Sequence, residues 1–595
     1  LAQDLTLYAQ GAVNGTAQIT VDGATLISAG DNVVSLTNAT NDFGSQVNIQ
    51  LAKDITIVDA SALNFSGSST GTSSDINLTA GGFLTLAHGT SATGHMDLTA
   101  NGVSFGQAVV GGNLTVGSTG AAIIQRQQSN GGVATDSMIR ITGTTNLTAA
   151  SITLDHVNAF GGAVALTSTG AIELTTDGAI AFAASTVGGD LTVSTLEGMT
   201  QTGSISVAGA SILTTSYDAD IILSNAANDF TGLLDITYGR DANIADTSAL
   251  NLMAQVLRDL TLNSGGALVV GSLTVGDDLA ITAGSISDTN ANVVDVTANT
   301  VLSSSGVITL DNQHKFGGTV TVLSATDTTL RDSDALQFAG VSISGDLSLN
   351  VNGVLTQSVA SSVLVGGTAD IVTTTGSTVT LAEIGNDFGG VVSLSATKGV
   401  ALTDANALSI EGTIGADGLD VVAGGLVSFG ATTVIGAVTV DTAGDIAQTG
   451  AVSFSMAADL SADGDATFEQ TGNEFAATIT LDVGGAASFI DINALAVSGR
   501  VGGDLLLTSG SSTSIGTLSV TGGLTIAAAG DILQTPSSAK LNVGGDTSLT
   551  ASNGTVDYRI ALNNRITDLV SVNDFGGALR IHAASDIDIR AIDTP

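Results

Sequence analysis

Along this chain apolar and polar residues alternate in short runs, and one such run returns in a fixed register. Four and six residues after Phe43, Phe160, Phe230, Phe316, Phe388, Phe475 and Phe575 stand apolar pairs: Val47 and Ile49, Val164 and Leu166, Leu234 and Ile236, Val320 and Val322, Val392 and Leu394, Ile479 and Leu481, Leu579 and Ile581. The residue between them is Asn48, Ala165, Asp235, Thr321, Ser393, Thr480 or Arg580. A period of two with a mostly polar outer face predicts a half-buried strand after each phenylalanine.

The register reaches further in both directions. Asn41, Asn158, Asn228, Asn386, Asn473 and Asn573 stand two residues before the phenylalanine, with His314 in the remaining copy, and Gly-Gly often follows, as in Asn386-Asp387-Phe388-Gly389-Gly390. Sixteen residues after the phenylalanine come Asp59, Asp246, Asp332, Asp404 and Asp491, with Asp177 one place late. The phrase is Asp-x-x-Ala-Leu, as in Asp404 to Leu408. About thirty residues after five of the phenylalanines a further strand start appears, as in Gly189-Asp190-Leu191 and Gly503-Asp504-Leu505. In three copies another strand start follows nineteen residues on, at Leu279, Val438 and Leu524, which reads as one added rung. An added rung accounts for spacings of 86, 87 and 100 residues beside others of 70 and 72.

A subperiod of about twenty residues, built from short strands and Gly/Asn/Asp turns with no helical segment between them, predicts an all-β parallel β-helix. The one helix-permissive stretch, residues 249–257, begins inside the Asp-x-x-Ala-Leu phrase and is read as strand. The whole chain, 1–595, is read as one continuous solenoid with super-repeats starting near residues 41, 158, 228, 314, 386, 473 and 573. At about 4.8 Å per rung this would be an elongated rod on the order of 140 Å long. At each corner the phenylalanine is expected to point inward, Asn and Asp to bond their own backbone, and Gly-Gly to supply positive φ. Asp404 and its equivalents are expected at exposed turns. Gln201, Gln357, Gln448 and Gln534 are expected to form a side-chain ladder or to cap a turn.

Composition agrees with strand and turn: 75 Gly, two Pro, no Trp and 3% aromatic residues in 595. The formal charge is −41 with only 14 Lys and Arg, and these form no cluster, so a nucleic-acid or anionic-membrane partner is disfavoured. The absence of cysteine removes disulfides and thiolate metal sites together. The uncharged stretch 421–440 carries too many Gly, Ser and Thr residues for a spanning helix, so the chain is not expected to cross a membrane. No leader is seen at the start, Leu1 to Gly11 being already strand-like.

The Asn-Asp-Phe-Gly-Gly phrase, the apolar pair after it, the Asp-Ala-Asn-Ala-Leu phrase, and spacers such as residues 187–193 (VGGDLTV) and 443–450 (AGDIAQTG) resemble the repeat region of large filamentous-haemagglutinin-like bacterial adhesins. The resemblance runs from Asn41 to the end. It implies a right-handed parallel β-helix exported to the cell surface, with no enzymatic activity, acting as the rod-like shaft of an adhesin. Neither an amino-terminal secretion module nor a membrane barrel is seen in the sequence. The implied location is extracellular, and the implied partner is a cell-surface receptor or glycan. An open-ended solenoid also allows end-to-end or lateral association with itself as a structural filament or sheath subunit.

β-Helices also carry polysaccharide lyases and hydrolases, so paired carboxylates are candidates for acid/base chemistry: Asp332 with Asp334 beside Arg331, Asp218 with Asp220, and Asp277 with Asp278. Because Asp332 belongs to a phrase copied several times, a structural turn is the favoured reading. His88 and His95 are too few to expect a metal site. No cofactor is expected; calcium at the stacked Asp corners is the one ion the pattern suggests, and the remaining metal question is open.

Overall fold

The computed structural model describes residues 3–126, 128–130, 133–135, 138–289, 291–374, 376–396, 398–535, 539–558, 565–573 and 579–581. It is all-β, without helix among these residues. The chain forms two compact units, Leu1–Ala298 and Asn299–Pro595. Each is a β-solenoid of parallel strands with about twenty residues per turn.

In the first unit one turn consists of Ile76–Ala80, Leu84–Leu86 and Thr90–Ala92. The next turn lays Met96–Ala100, Val103–Phe105 and Ala108–Val110 directly over them, with Ile76 paired to Met96, Leu84 to Val103 and Thr90 to Ala108. The second unit repeats the plan: Val438, Ile446 and Ser453 pair with Ala458, Ala466 and Glu474 of the following turn. Three short strands per turn let three corners enclose a narrow interior. Alternation then puts every second side chain inside, and Met96–Ala100 reads buried, exposed, buried, exposed, buried.

The added rungs inferred from spacing are present, since Leu260 pairs with Leu279, Leu419 with Val438 and Leu505 with Leu524. The long interval from Phe43 to Phe160 also holds extra rungs and a small antiparallel hairpin, Gln128–Asn130 with Val133–Thr135, which periodicity did not reveal. The stretch 249–257 is strand over Leu250–Val256, and 421–440 is divided among Gly418–Ala423, Val427–Val434 and Val438–Thr442. No helix among the described residues is long and apolar enough to cross a membrane.

The interior is aliphatic with phenylalanine at intervals. In the second unit Phe429, Phe454, Phe468, Phe475 and Phe489 pack ring against ring at centroid distances of 5.2 to 6.3 Å. Edge-on and offset contacts of this kind add to the burial of the rings themselves.

The Gly-Gly pairs correct the expectation of positive φ. Glycines with positive φ occur elsewhere, as at Gly412, Gly418 and Gly499, but not at Gly161-Gly162 or Gly389-Gly390. Space is the reason glycine stands there. A Cβ on Gly162 would lie 2.6 Å from the carbonyl oxygen of Gly143, and one on Gly390 2.5 Å from that of Gly367. At Gly162 and Gly390 successive turns stack backbone on backbone too closely for a side chain, whereas the first and sixth copies carry Ser45 and Ala477 at this place.

Candidate functional site

Six of the seven corner phenylalanines, Phe43, Phe160, Phe230, Phe316, Phe388 and Phe475, are buried; Phe575 lies outside the described residues. The polar residues of the same phrase are buried with them, which corrects the reading of the Asp as an exposed turn residue. Asp59, Asp246, Asp332, Asp404 and Asp491 are at most 3% exposed. The physical reason is a pair of backbone donors that the corner leaves unpaired. In the third copy Phe230 N–H donates to Asp246 Oδ2 at 2.6 Å and Ser248 N–H to Asp246 Oδ1 at 2.7 Å. In the fifth the same bonds, from Phe388 and Asn406 to Asp404, measure 2.8 and 2.6 Å. Asp59 with Phe43 and Ser61, and Asp491 with Phe475 and Asn493, repeat the arrangement. One carboxylate thus ties the start of the phenylalanine strand to a turn sixteen residues later.

In the second copy Thr176, not Asp177, occupies the equivalent place. It is buried; its hydroxyl donates to the Asn158 carbonyl at 2.9 Å and accepts the Gly178 N–H at 3.3 Å, so a single oxygen serves this corner in place of a carboxylate's two.

The asparagine works in the opposite direction, toward the preceding turn. Asn386 Oδ1 accepts the Val363 N–H at 2.9 Å, and its Nδ2 donates to the Leu381 carbonyl at 3.0 Å. Gln357 closes the cluster with an amide pair, Nε2 to Asn386 Oδ1 at 2.6 Å and Asn386 Nδ2 to Gln357 Oε1 at 3.0 Å. Gln201 with Asn228 and Gln448 with Asn473 do the same. Gln125 pairs likewise with Asn158 and was not singled out by sequence; its offset from the asparagine differs because of the hairpin in between. Gln534 donates to the Ala539 carbonyl at 3.2 Å. Gln201, Gln357 and Gln448 thus bind the corner asparagine of the next turn, and all four glutamines donate to a carbonyl two to five residues on, at Gly203, Ser361, Gly450 and Ala539, which is the turn cap expected of them and not a ladder of glutamines.

The fourth copy departs from the others. His314 replaces asparagine and is fully buried, and Asp334 stands where the other copies have Ser61, Ser248, Asn406 or Asn493. The bond from Phe316 N–H to Asp332 Oδ2 is longer here, 3.4 Å. Burial, with the neighbouring Asp334 carboxylate adding to it, pushes the Asp332 carboxyl up to about 7. Burial also raises the Asp404 and Asp491 carboxyls above the usual range, against the lowering effect of their N–H bonds.

The remaining sequence candidates are scattered. Asp332 accepts the Asp334 N–H at 2.8 Å, as an ordinary corner carboxylate does. Asp220 is held by Arg240 through Nε and Nη2 at 2.7 and 2.6 Å. Asp278 N–H donates to Asp259 of the preceding turn at 3.2 Å. His95 Nδ1 accepts the Asn113 N–H at 2.9 Å, and both His88 and His95 are exposed. Among the described residues no group of three or more His, Asp or Glu side chains is placed to hold a metal ion. Each oxygen of the corner acids Asp59, Asp246, Asp404 and Asp491 accepts a backbone N–H bond.

Parallel turns, a repeated corner and nearest-neighbour stacking define a β-solenoid repeat protein. The chain belongs to the family described as repeats of unknown function (DUF5649), which it matches over residues 1–50, 93–167, 169–237, 257–323, 325–395, 416–482 and 502–582. Each matched segment ends about seven residues after one of the seven corner phenylalanines, the same register read from the alternation. No curated protein and no solved structure shows significant similarity to the chain.

Proposed function

We propose that this chain is the non-enzymatic shaft of a bacterial surface adhesin, extracellular, holding a binding determinant in place and mediating attachment or cell-to-cell contact. The observation that carries this reading is how the repeated corner uses its chemistry. The conspicuous carboxylates and amides of the sequence turn inward and bond the backbone of their own or an adjacent turn, copy after copy. Selection for a scaffold produces such repetition, because every corner faces the same packing problem, whereas a catalytic centre is needed once. Net charge of −41 supports a surface that repels itself in solution. The resemblance to filamentous-haemagglutinin-like repeats supplies the adhesin assignment and the extracellular location.

The test is to purify the chain and measure its binding to host cells, to glycans and to sibling bacteria, with immunolabelling of intact cells for location. Saturable binding together with surface labelling is expected. Cleavage of a polysaccharide at an enzyme-like rate, or labelling confined to the cell interior, overturns the proposal. Continuous filaments of the purified chain in electron micrographs would favour the self-assembling structural subunit instead.

A further inference from the structure

The chain has no cysteine, so no disulfide ties one turn of the solenoid to the next. It has four tyrosines, and two of them, Tyr217 and Tyr238, meet across neighbouring turns with ring centroids 4.2 Å apart and planes tilted by 58°. Aromatic pairs usually settle at roughly 4.5–7 Å between centroids, so these rings are in close contact. Tyr217 is nevertheless 68% exposed.

A shift of register brings the two together. Ser211, Ile212 and Leu213 pair in step with Leu234, Asp235 and Ile236, but Thr214 pairs with Tyr238, which leaves Thr237 as an extra residue. Strict alternation would turn position 238 inward with Leu234 and Ile236. The extra residue turns Tyr238 outward and buries Gly239 in its stead. Tyr217 reaches the same place from the turn before, on a loop closed by Ala219 N–H donating to the Ser216 carbonyl at 3.2 Å. Thr215 fastens both backbones, its N–H donating to the Tyr238 carbonyl at 3.0 Å and its hydroxyl to the Ala219 carbonyl at 3.1 Å. In the first and fourth copies a similar shift sets Leu51 against Ser28 and Ser324 against Ser303, and none of these is a phenol.

We propose that Tyr217 and Tyr238 are a site of oxidative cross-linking, at which hydrogen peroxide with a haem peroxidase joins the two rings as dityrosine and staples two turns of the solenoid. The staple is independent of what the shaft displays. Each ring gives up one electron and its phenolic proton, and the two radicals bond through the carbons ortho to their oxygens. The hydrogens on those two carbons then shift to the oxygens and restore the phenols. The two electrons and two protons released reduce one hydrogen peroxide to two waters. Exposure of Tyr217 lets a soluble oxidant reach the pair, and contact between the rings means that a radical formed on one already has its partner beside it.

The test treats the full chain with hydrogen peroxide and a haem peroxidase, at a dilution that keeps molecules apart. The absence of tryptophan leaves dityrosine emission uncovered. A monomer lighter by two hydrogens and carrying that emission is expected. Cleavage before aspartate cuts between the two tyrosines, at Asp218, Asp220, Asp229 and Asp235, and should release two peptides joined through Tyr217 and Tyr238. Tyr217→Phe and Tyr238→Phe keep the ring contact and remove one phenol, so each should abolish emission from the monomer while circular dichroism stays unchanged. In the linked chain the Thr215 amide should exchange about tenfold more slowly than in the unlinked one. Emission confined to dimers and larger species, emission that survives Tyr217→Phe, or a product that gains oxygen without joined peptides overturns the cross-link. Equal exchange at Thr215 in the linked and unlinked chains overturns its action as a staple.

Discussion

Asp404 accepts two backbone N–H bonds, from Phe388 and Asn406, while itself almost wholly buried. Removing the carboxylate strands both donors away from water, and each orphaned donor costs about 1–3 kcal/mol. Asp404→Ala should therefore destabilise by about 2–6 kcal/mol, and Asp404→Asn, which keeps one acceptor oxygen, by about half as much. Chemical denaturation of the two variants checks the ranking; a loss below about 1 kcal/mol for the alanine would mean the bonds are replaced by water. Asp332 gives a different signature. Its folded carboxyl titrates near 7 against an ordinary 3.8, so the folded state holds a proton that the unfolded state has released. Stability from this group is present below pH 4 and declines as pH rises toward 7. Hydrogen exchange at Phe316 and Asp334 should quicken from pH 5 to pH 8 beyond the intrinsic rate change, and Asp332→Asn should flatten that dependence. His314, Lys315 and Asp334 are the titratable neighbours in the phrase and are left intact in the comparison.

An element in this chain is one strand and the strand lying beneath it, and the pairing places a demand on size. Under Val47, Val164, Leu234, Val320, Val392 and Ile479, the strand starts after each phenylalanine, lie Thr25, Thr145, Ser211, Thr300, Ala369 and Ala458. The hydroxyls of Thr25, Thr145, Ser211 and Thr300 are buried without a hydrogen-bond partner, and alanine serves equally at two of the six places. Smallness is what the six share, and polarity is not. A phenylalanine adds volume to the same pair of turns, so close packing is kept by a smaller neighbour. The Gly-Gly corner makes the complementary demand on the backbone, since a side chain at Gly390 would force two turns apart. Both demands arise between turns about twenty residues apart, which is why neither stands out when one run of alternation is read alone.

At the scale of the molecule, each turn contacts the turns before and after it, so stability is close to a sum of neighbouring terms. Phe388→Ala empties a fully enclosed corner and should cost about 3–5 kcal/mol. Its effect should stay local, raising exchange in the strands around Val365, its partner in the preceding turn, while distant turns of the second unit keep their protection. Uniform loosening throughout that unit would show cooperativity that a nearest-neighbour stack lacks. The shape of the repeat also explains how its length varies. An added turn, such as those starting at Leu279 or Leu524, needs only a strand set that matches its two neighbours.

The sequence by itself determined the strand after each corner phenylalanine, the turn length and the seven-copy register, because alternation of apolar and polar residues is a local property and stacking similar turns forces it to repeat; the hairpin and extra rungs between Phe43 and Phe160 fall outside that register. The inward phenylalanine was legible for the same reason. Only the tertiary structure decided which way the polar residues face. Asp404 reads as a turn residue from its neighbours alone, and its burial follows from the Phe388 N–H that the stack brings to it from sixteen residues away. The Gln–Asn amide pairs and the small residues beneath each corner strand likewise depend on side chains of different turns meeting. Spacing in the chain carries the period of the solenoid, but a hydrogen bond needs the direction of a side chain, and that direction is set by the turn packed against it.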